Sequence, residues 1–94
     1  MAPAFGSLVI DEWIFPVTGV RLTGGKVRIA AEIEGPTPEI SLNTYVVQGD
    51  DGRTVYQSSR GESIPPVEEG WTMTIILDLE MEGLVRPAGP ILIT

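Results

Sequence analysis

The feature that most constrains this chain is a two-residue rhythm of polarity. Between Lys26 and Glu34, the apolar side chains Val27, Ile29, Ala31 and Ile33 alternate with Lys26, Arg28, Glu32 and Glu34. Successive side chains of an extended backbone point to opposite faces, so this order gives one buried face and one wet face. A helix would scatter the same residues around its circumference. The rhythm returns between Trp71 and Met81, where Trp71, Met73, Ile75, Leu77, Leu79 and Met81 share a face opposite Thr72, Thr74, Ile76, Asp78 and Glu80. Both segments are predicted strands. Ile76 interrupts the polar face of the second and is expected under a loop, while Trp71 is expected in the core.

Turn chemistry separates further strands. Gly24-Gly25 lies between Val20–Thr23 and Lys26 and reads as a tight hairpin, because both residues accept positive φ. A second hairpin spans Glu39 to Ser59, with Ile40, Leu42, Thr44 and Val46 alternating against Ser41, Asn43, Tyr45 and Val47. It turns at Gly49-Asp50-Asp51-Gly52 and returns over Thr54–Ser58 as a polar edge strand. The first strand is expected over Ser7 to Phe15, apolar on both faces and ended by Pro16. Gly35-Pro36-Thr37-Pro38 is a stiff connection, and residues 60–70, with Pro65-Pro66, form the longest loop. No helix, repeat or linker is evident.

With 94 residues the chain is one domain, residues 1–94. Short strands punctuated by Gly and Pro predict an all-β fold. An immunoglobulin-like antiparallel β-sandwich is the expected form, and a small β-barrel is the alternative. The run Trp71 to Leu79, followed by Leu84-Val85-Arg86-Pro87-Ala88-Gly89 and then an apolar strand, resembles immunoglobulin-like and fibronectin-like modules. The resemblance covers about a quarter of the chain. The cysteine pair of many such modules is absent, and Pro90 stands where they often place an aromatic. The resemblance implies a sandwich and transfers no functional residue.

Composition narrows the chemistry. The chain has no Cys and no His, so it has no thiolate, no disulfide and none of the commonest acid–base side chain or transition-metal ligand. Thirteen carboxylates against six bases give a net charge of −7, the wrong sign for displacing counterions from nucleic acid or for an anionic membrane. The N-terminal six residues carry neither a basic region nor an apolar run of leader length, so cytoplasmic synthesis without a signal peptide is expected. No cofactor is expected.

Carboxylates are the remaining catalytic currency, in the pairs Asp11/Glu12, Glu32/Glu34, Asp50/Asp51, Glu68/Glu69 and Asp78/Glu80. Glu32/Glu34 and Asp78/Glu80 each share a strand face, but it is the wet face, where solvated charge is the ordinary state. Asp50 and Asp51 suit a turn better than a Ca²⁺ loop, whose ligand spacing they lack. Arg53, Arg60 and Arg86 precede no helix that would complete an anion cradle.

The apolar and aromatic residues point instead to contact. Trp13 and Phe15, with the apolar run Ile91-Leu92-Ile93, are the candidate interface, since exposed apolar surface is costly in water. Trp13, Tyr45 and Tyr56 form an alternative aromatic platform for a ligand such as a sugar. The expectation is a non-enzymatic structural or interaction module with protein partners or copies of itself, for which an accessory protein of a bacteriophage particle is one setting. A ligand- or carbohydrate-binding module is the alternative.

Overall fold

A computed structural model describes residues 5–85. Eight strands follow in order: β1 (Ser7–Ile10), β2 (Trp13–Thr23), β3 (Lys26–Glu34), β4 (Ile40–Ser41), β5 (Tyr45–Gln48), β6 (Thr54–Ser58), β7 (Ser63–Ile64) and β8 (Thr72–Leu79). A single 3₁₀ turn, Met81–Gly83, is the only helical element among the described residues. The all-β expectation therefore holds. A six-stranded antiparallel sheet runs β6-β5-β1-β2-β3-β8, and β4 pairs with β7 in a second, two-stranded sheet. The candidate residues Ile91, Leu92 and Ile93 lie outside the described residues.

β3 spans the interval its rhythm predicts, and Val27, Ile29, Ala31 and Ile33 are all buried. Gly24 and Gly25 make its hairpin with φ of 58° and 79°. The expectation for the first strand needs correction. Ser7 to Phe15 is not one strand: the chain reverses at Asp11-Glu12, so that Ile10 pairs with Trp13 and Ser7 with Pro16. Asp11 supplies the positive φ, at 54°, that so short a turn needs and that Asp tolerates better than most residues.

Pro16 does not end a strand but sits inside β2. Both backbone groups of Val17 bond to the Phe5–Gly6 segment. Alternation therefore turns the Pro16 nitrogen toward β3, whose register with β2 begins only at Val17. The missing N–H forfeits no ladder bond there. A bulge between Val17 and Gly19 then shifts the inward positions from Phe15 and Val17 to Val20 and Leu22.

The hairpin predicted from Glu39 to Ser59 is present but bent. Its inward residues are Ile40 and Leu42, then Tyr45 and Val47, so the alternation slips between them. Ser41 Oγ accepts the Asn43 N–H at 3.3 Å, a local bond that replaces a ladder bond and breaks the strand. β4 and β7 thus continue β5 and β6 beyond the bend, with Ile40 opposite Ile64 and Tyr45 opposite Ser58. A register shift beside Val47 also buries the adjacent Val55 and Tyr56 of the edge strand β6.

Side chains bridge the two ends of the six-stranded sheet. β6 and β8 stand at opposite ends of the strand order, yet the Tyr56 hydroxyl accepts the Glu80 N–H at 3.0 Å. Arg60 Nε donates to the Tyr45 hydroxyl at 3.3 Å, and its Nη2 donates to the Asp78 carbonyl. Beyond the 3₁₀ turn, the Val85 N–H reaches the Val55 carbonyl at 3.1 Å. Gly83 is required here, because a Cβ would lie 2.5 Å from the Tyr56 ring. The core fills the space enclosed by the six-stranded sheet and covered by β4 and β7.

Tyr56→Phe keeps the ring but leaves the Glu80 N–H without its acceptor at the seam. Urea unfolding of this variant is expected to show a loss of about 1–3 kcal/mol. Unchanged stability would mean that the hydroxyl does not hold the two edges together.

Candidate interaction surface

The partner exchange in β2 opens the sheet at one end. Residues 13–16 of β2 pair with β1, whereas residues 32–34 of β3 pair with β8 alone. The two strands splay apart between these stretches. The resulting cleft, about 440 Å³, has Trp13, Ile14, Phe15 and Pro16 on one wall and Glu32, Glu34 and Thr72 on the other.

Each wall follows from local sequence. Trp13 and Phe15 are two residues apart on one strand face, and their rings stack with centroids 6.1 Å apart and planes 7° from parallel. Phe15 is buried, so the candidate interface residue Phe15 is corrected to a core residue whose edge reaches the cleft. Trp13 is half-buried against it. Ile14, between them, points the other way and is 67% exposed. On the opposite wall, Glu34 lies beside Thr72 and Glu32 beside Thr74, so both carboxylates occupy the outer face of the sheet. Neither forms an ion pair with a described residue.

Trp71 departs from its expected place. β8 begins at Thr72, opposite the last residue of β3, and Trp71 lies past the end of the core, 67% exposed. Its N–H donates to the Glu68 carbonyl and its carbonyl accepts the Gly35 N–H, so the backbone is anchored while the indole is free. Pro66, Val67, Glu68 and Met73 shape a shallow hollow beside it. Thr72 borders both this hollow and the cleft, making one strip from Ile14 across Glu34 to Trp71. Ile76, expected under a loop, is exposed as well.

The alternative aromatic platform is not assembled. Tyr45 and Tyr56 are each 1% exposed, with ring centroids 6.0 Å apart, and their hydroxyls serve the seam. Burial pushes the Tyr45 phenol above its ordinary pKa, opposed by the Arg60 hydrogen bond. Trp13 therefore has no exposed tyrosine beside it with which to sandwich a sugar.

The other charged candidates are structural or dispersed. Asp78 binds Arg28 through two contacts, of 2.7 and 3.3 Å, and this hydrogen bonding holds its carboxyl below the ordinary range. Asp51 accepts the Arg53 N–H across the hairpin turn. Among the described residues, no three carboxylates converge as metal ligands, and no helix is long and apolar enough to cross a membrane. Glu32 and Glu34 were legible in the sequence as a carboxylate pair on a wet face, but their place opposite Ile14, and Ile14 itself, were not. Its one signal was that residues 13–15 are apolar on both faces. No protein-family model, curated protein or solved structure matches this chain.

Ile14 and Phe15 are neighbours with opposite placements. Ile14→Ser is expected to change stability by less than about 0.5 kcal/mol, as at other surface sites. Phe15→Ala is expected to cost about 3–5 kcal/mol. Thermal and urea unfolding of the two variants check this contrast, and a large loss from Ile14→Ser would assign that residue to the core.

Proposed function

We propose that this chain is a non-enzymatic interaction module that docks into a larger assembly through the splayed end of its sheet. The observation that carries the reading is the exposure of two large apolar side chains, Ile14 and Trp71, on either side of the Glu34–Thr72 row. Large aromatic and aliphatic residues with this exposure serve as anchors when a partner covers them. Polar side chains in the same strip supply orientation, as in the rim of ordinary interfaces. The carboxylates beside the anchors disfavour a phosphate backbone and favour a protein surface. An accessory protein of a virus particle is one setting that suits so small a β-domain with two such anchors.

The finer architecture belongs to the same proposal. Side-chain closure between β6 and β8 supports a small, incompletely hydrogen-bonded barrel more than an immunoglobulin-like pair of sheets. The carbohydrate reading loses its support with the burial of Tyr45 and Tyr56.

The chain is expected to co-fractionate, in lysate of its native source, with a complex well above its own 10.1 kDa. Ile14→Ser combined with Trp71→Ser is expected to move it to the free fraction with its unfolding midpoint intact. A chain that runs free as the wild type, or a folded double variant that stays in the complex, would overturn the proposal.

A further inference from the structure

The outer face of the β2–β3 hairpin is divided by charge. At its tip, Arg21 and Lys26 are exposed and form no ion pair with a described residue. Arg28, opposite Arg21, is already held by Asp78. Leu22 pairs with the inward-facing Val27 but lies past the core and is 58% exposed. Nothing packs around Gly24 or Gly25, so the tip is free on its flanks. At the other end of the same strand stand Glu32, Glu34 and the apolar wall of the cleft.

These two ends cannot satisfy one another within a molecule. Lys26 and Glu34 are eight residues apart on one strand, roughly 26 Å at about 3.3 Å per residue. The screening length at physiological salt is about 8 Å. Their attraction across a single copy is therefore negligible. Between two copies the same groups can come into contact, and the pairing is matched in kind. The tip offers two cations on its outer face and an exposed Leu on the other, and the cleft offers two carboxylates beside an exposed Ile. A cleft of about 440 Å³ admits a few side chains, and sites that bury ligands occupy about 300–1,000 Å³.

We propose that the acidic, apolar cleft at Ile14, Glu32 and Glu34 receives the β2–β3 hairpin tip, Arg21, Leu22 and Lys26, of a second copy of this chain. The inference rests on the docking role assigned above to the splayed end and names the occupant. Each copy carries both patches, so an antiparallel pair can exchange tips across a two-fold axis, and copies can also add head-to-tail. The net charge of −7 opposes association at long range, so the contact depends on bringing the unlike ends together.

Charge reversal with purified full-length protein tests the match. Wild type is expected to show concentration-dependent sedimentation. Arg21→Glu/Lys26→Glu and Glu32→Lys/Glu34→Lys should each weaken self-association by at least about tenfold, because each sets like charges against one another. An equimolar mixture should regain association, since each variant carries the complement of the other. Three results would overturn the proposal: a wild type that stays monomeric at high concentration, a variant that associates as wild type does, or a mixture of two folded variants that stays monomeric. If a reversed variant fails to fold, the neutral pairs Arg21→Gln/Lys26→Gln and Glu32→Gln/Glu34→Gln replace it, with Leu22→Ser and Ile14→Ser as uncharged probes of the same contact. Loss of self-association alone does not touch the docking role: if Ile14→Ser/Trp71→Ser still releases the chain from its native complex, the splayed end binds a partner other than itself.

Discussion

The structure depends on how an open sheet disposes of its edges. A six-stranded sheet has two rows of unpaired backbone groups, and both invite stray pairing. Here the chain beyond β8 pairs with the β6 edge at Leu84 and Val85, and side chains bridge the seam between the two edges. The Tyr56 hydroxyl takes the Glu80 N–H, and Arg60 spans from the Tyr45 hydroxyl to the Asp78 carbonyl. These are polar tips on largely buried bodies, so each must find a partner at the boundary of the core. Arg60 places two of its donors there, and its bond to Tyr45 only partly offsets the burial that holds the phenol above its ordinary pKa. The same demand explains why neither tyrosine is available to a ligand.

Away from the seam, β2 meets a different geometric demand. β2 is the longest strand and must serve two neighbours, β1 through its first residues and β3 through its last. Pro16 and the bulge before Gly19 mark the exchange. Proline cannot donate toward β3, and the bulge lets the strand twist away from it. The cleft is the space left by this exchange, so its apolar wall belongs to a strand that has already turned its pairing elsewhere. Cleft and strand irregularity have one cause.

What was legible in the sequence was the regular part. β3 and β8 announced themselves because each keeps one face toward the core along its whole length. The turn at Gly24-Gly25 was legible because glycine pairs of that kind have few other uses. Three features escaped for separate physical reasons. The Asp11-Glu12 turn lacks the glycine that usually signals so short a reversal, and Asp11 alone carries the strained dihedral. The bend after Ser41 depends on one side-chain bond that alternation does not reveal. Trp71 continues the apolar rhythm of β8 in sequence, but the neighbouring strand β3 has ended, so no core remains beneath it. The cleft was least legible, since Ile14 and Glu34 meet only through the splay between two strands.

Net charge conceals the arrangement that matters most here. Averaged over the chain, −7 describes a uniformly repulsive acidic particle. Along β3, however, Lys26 and Arg28 come first and Glu32 and Glu34 last, and an extended strand converts sequence order into distance. A helix of the same nine residues would hold those charges within about 14 Å, roughly half the separation of the strand. The strand holds them apart, well beyond the screening length, with Ile14 beside the acidic end and Leu22 on the opposite face of the basic end. Polarity rhythm across the strand builds the core. Charge order along it builds two unlike ends, and it is the difference between those ends that gives so small a domain a directed surface.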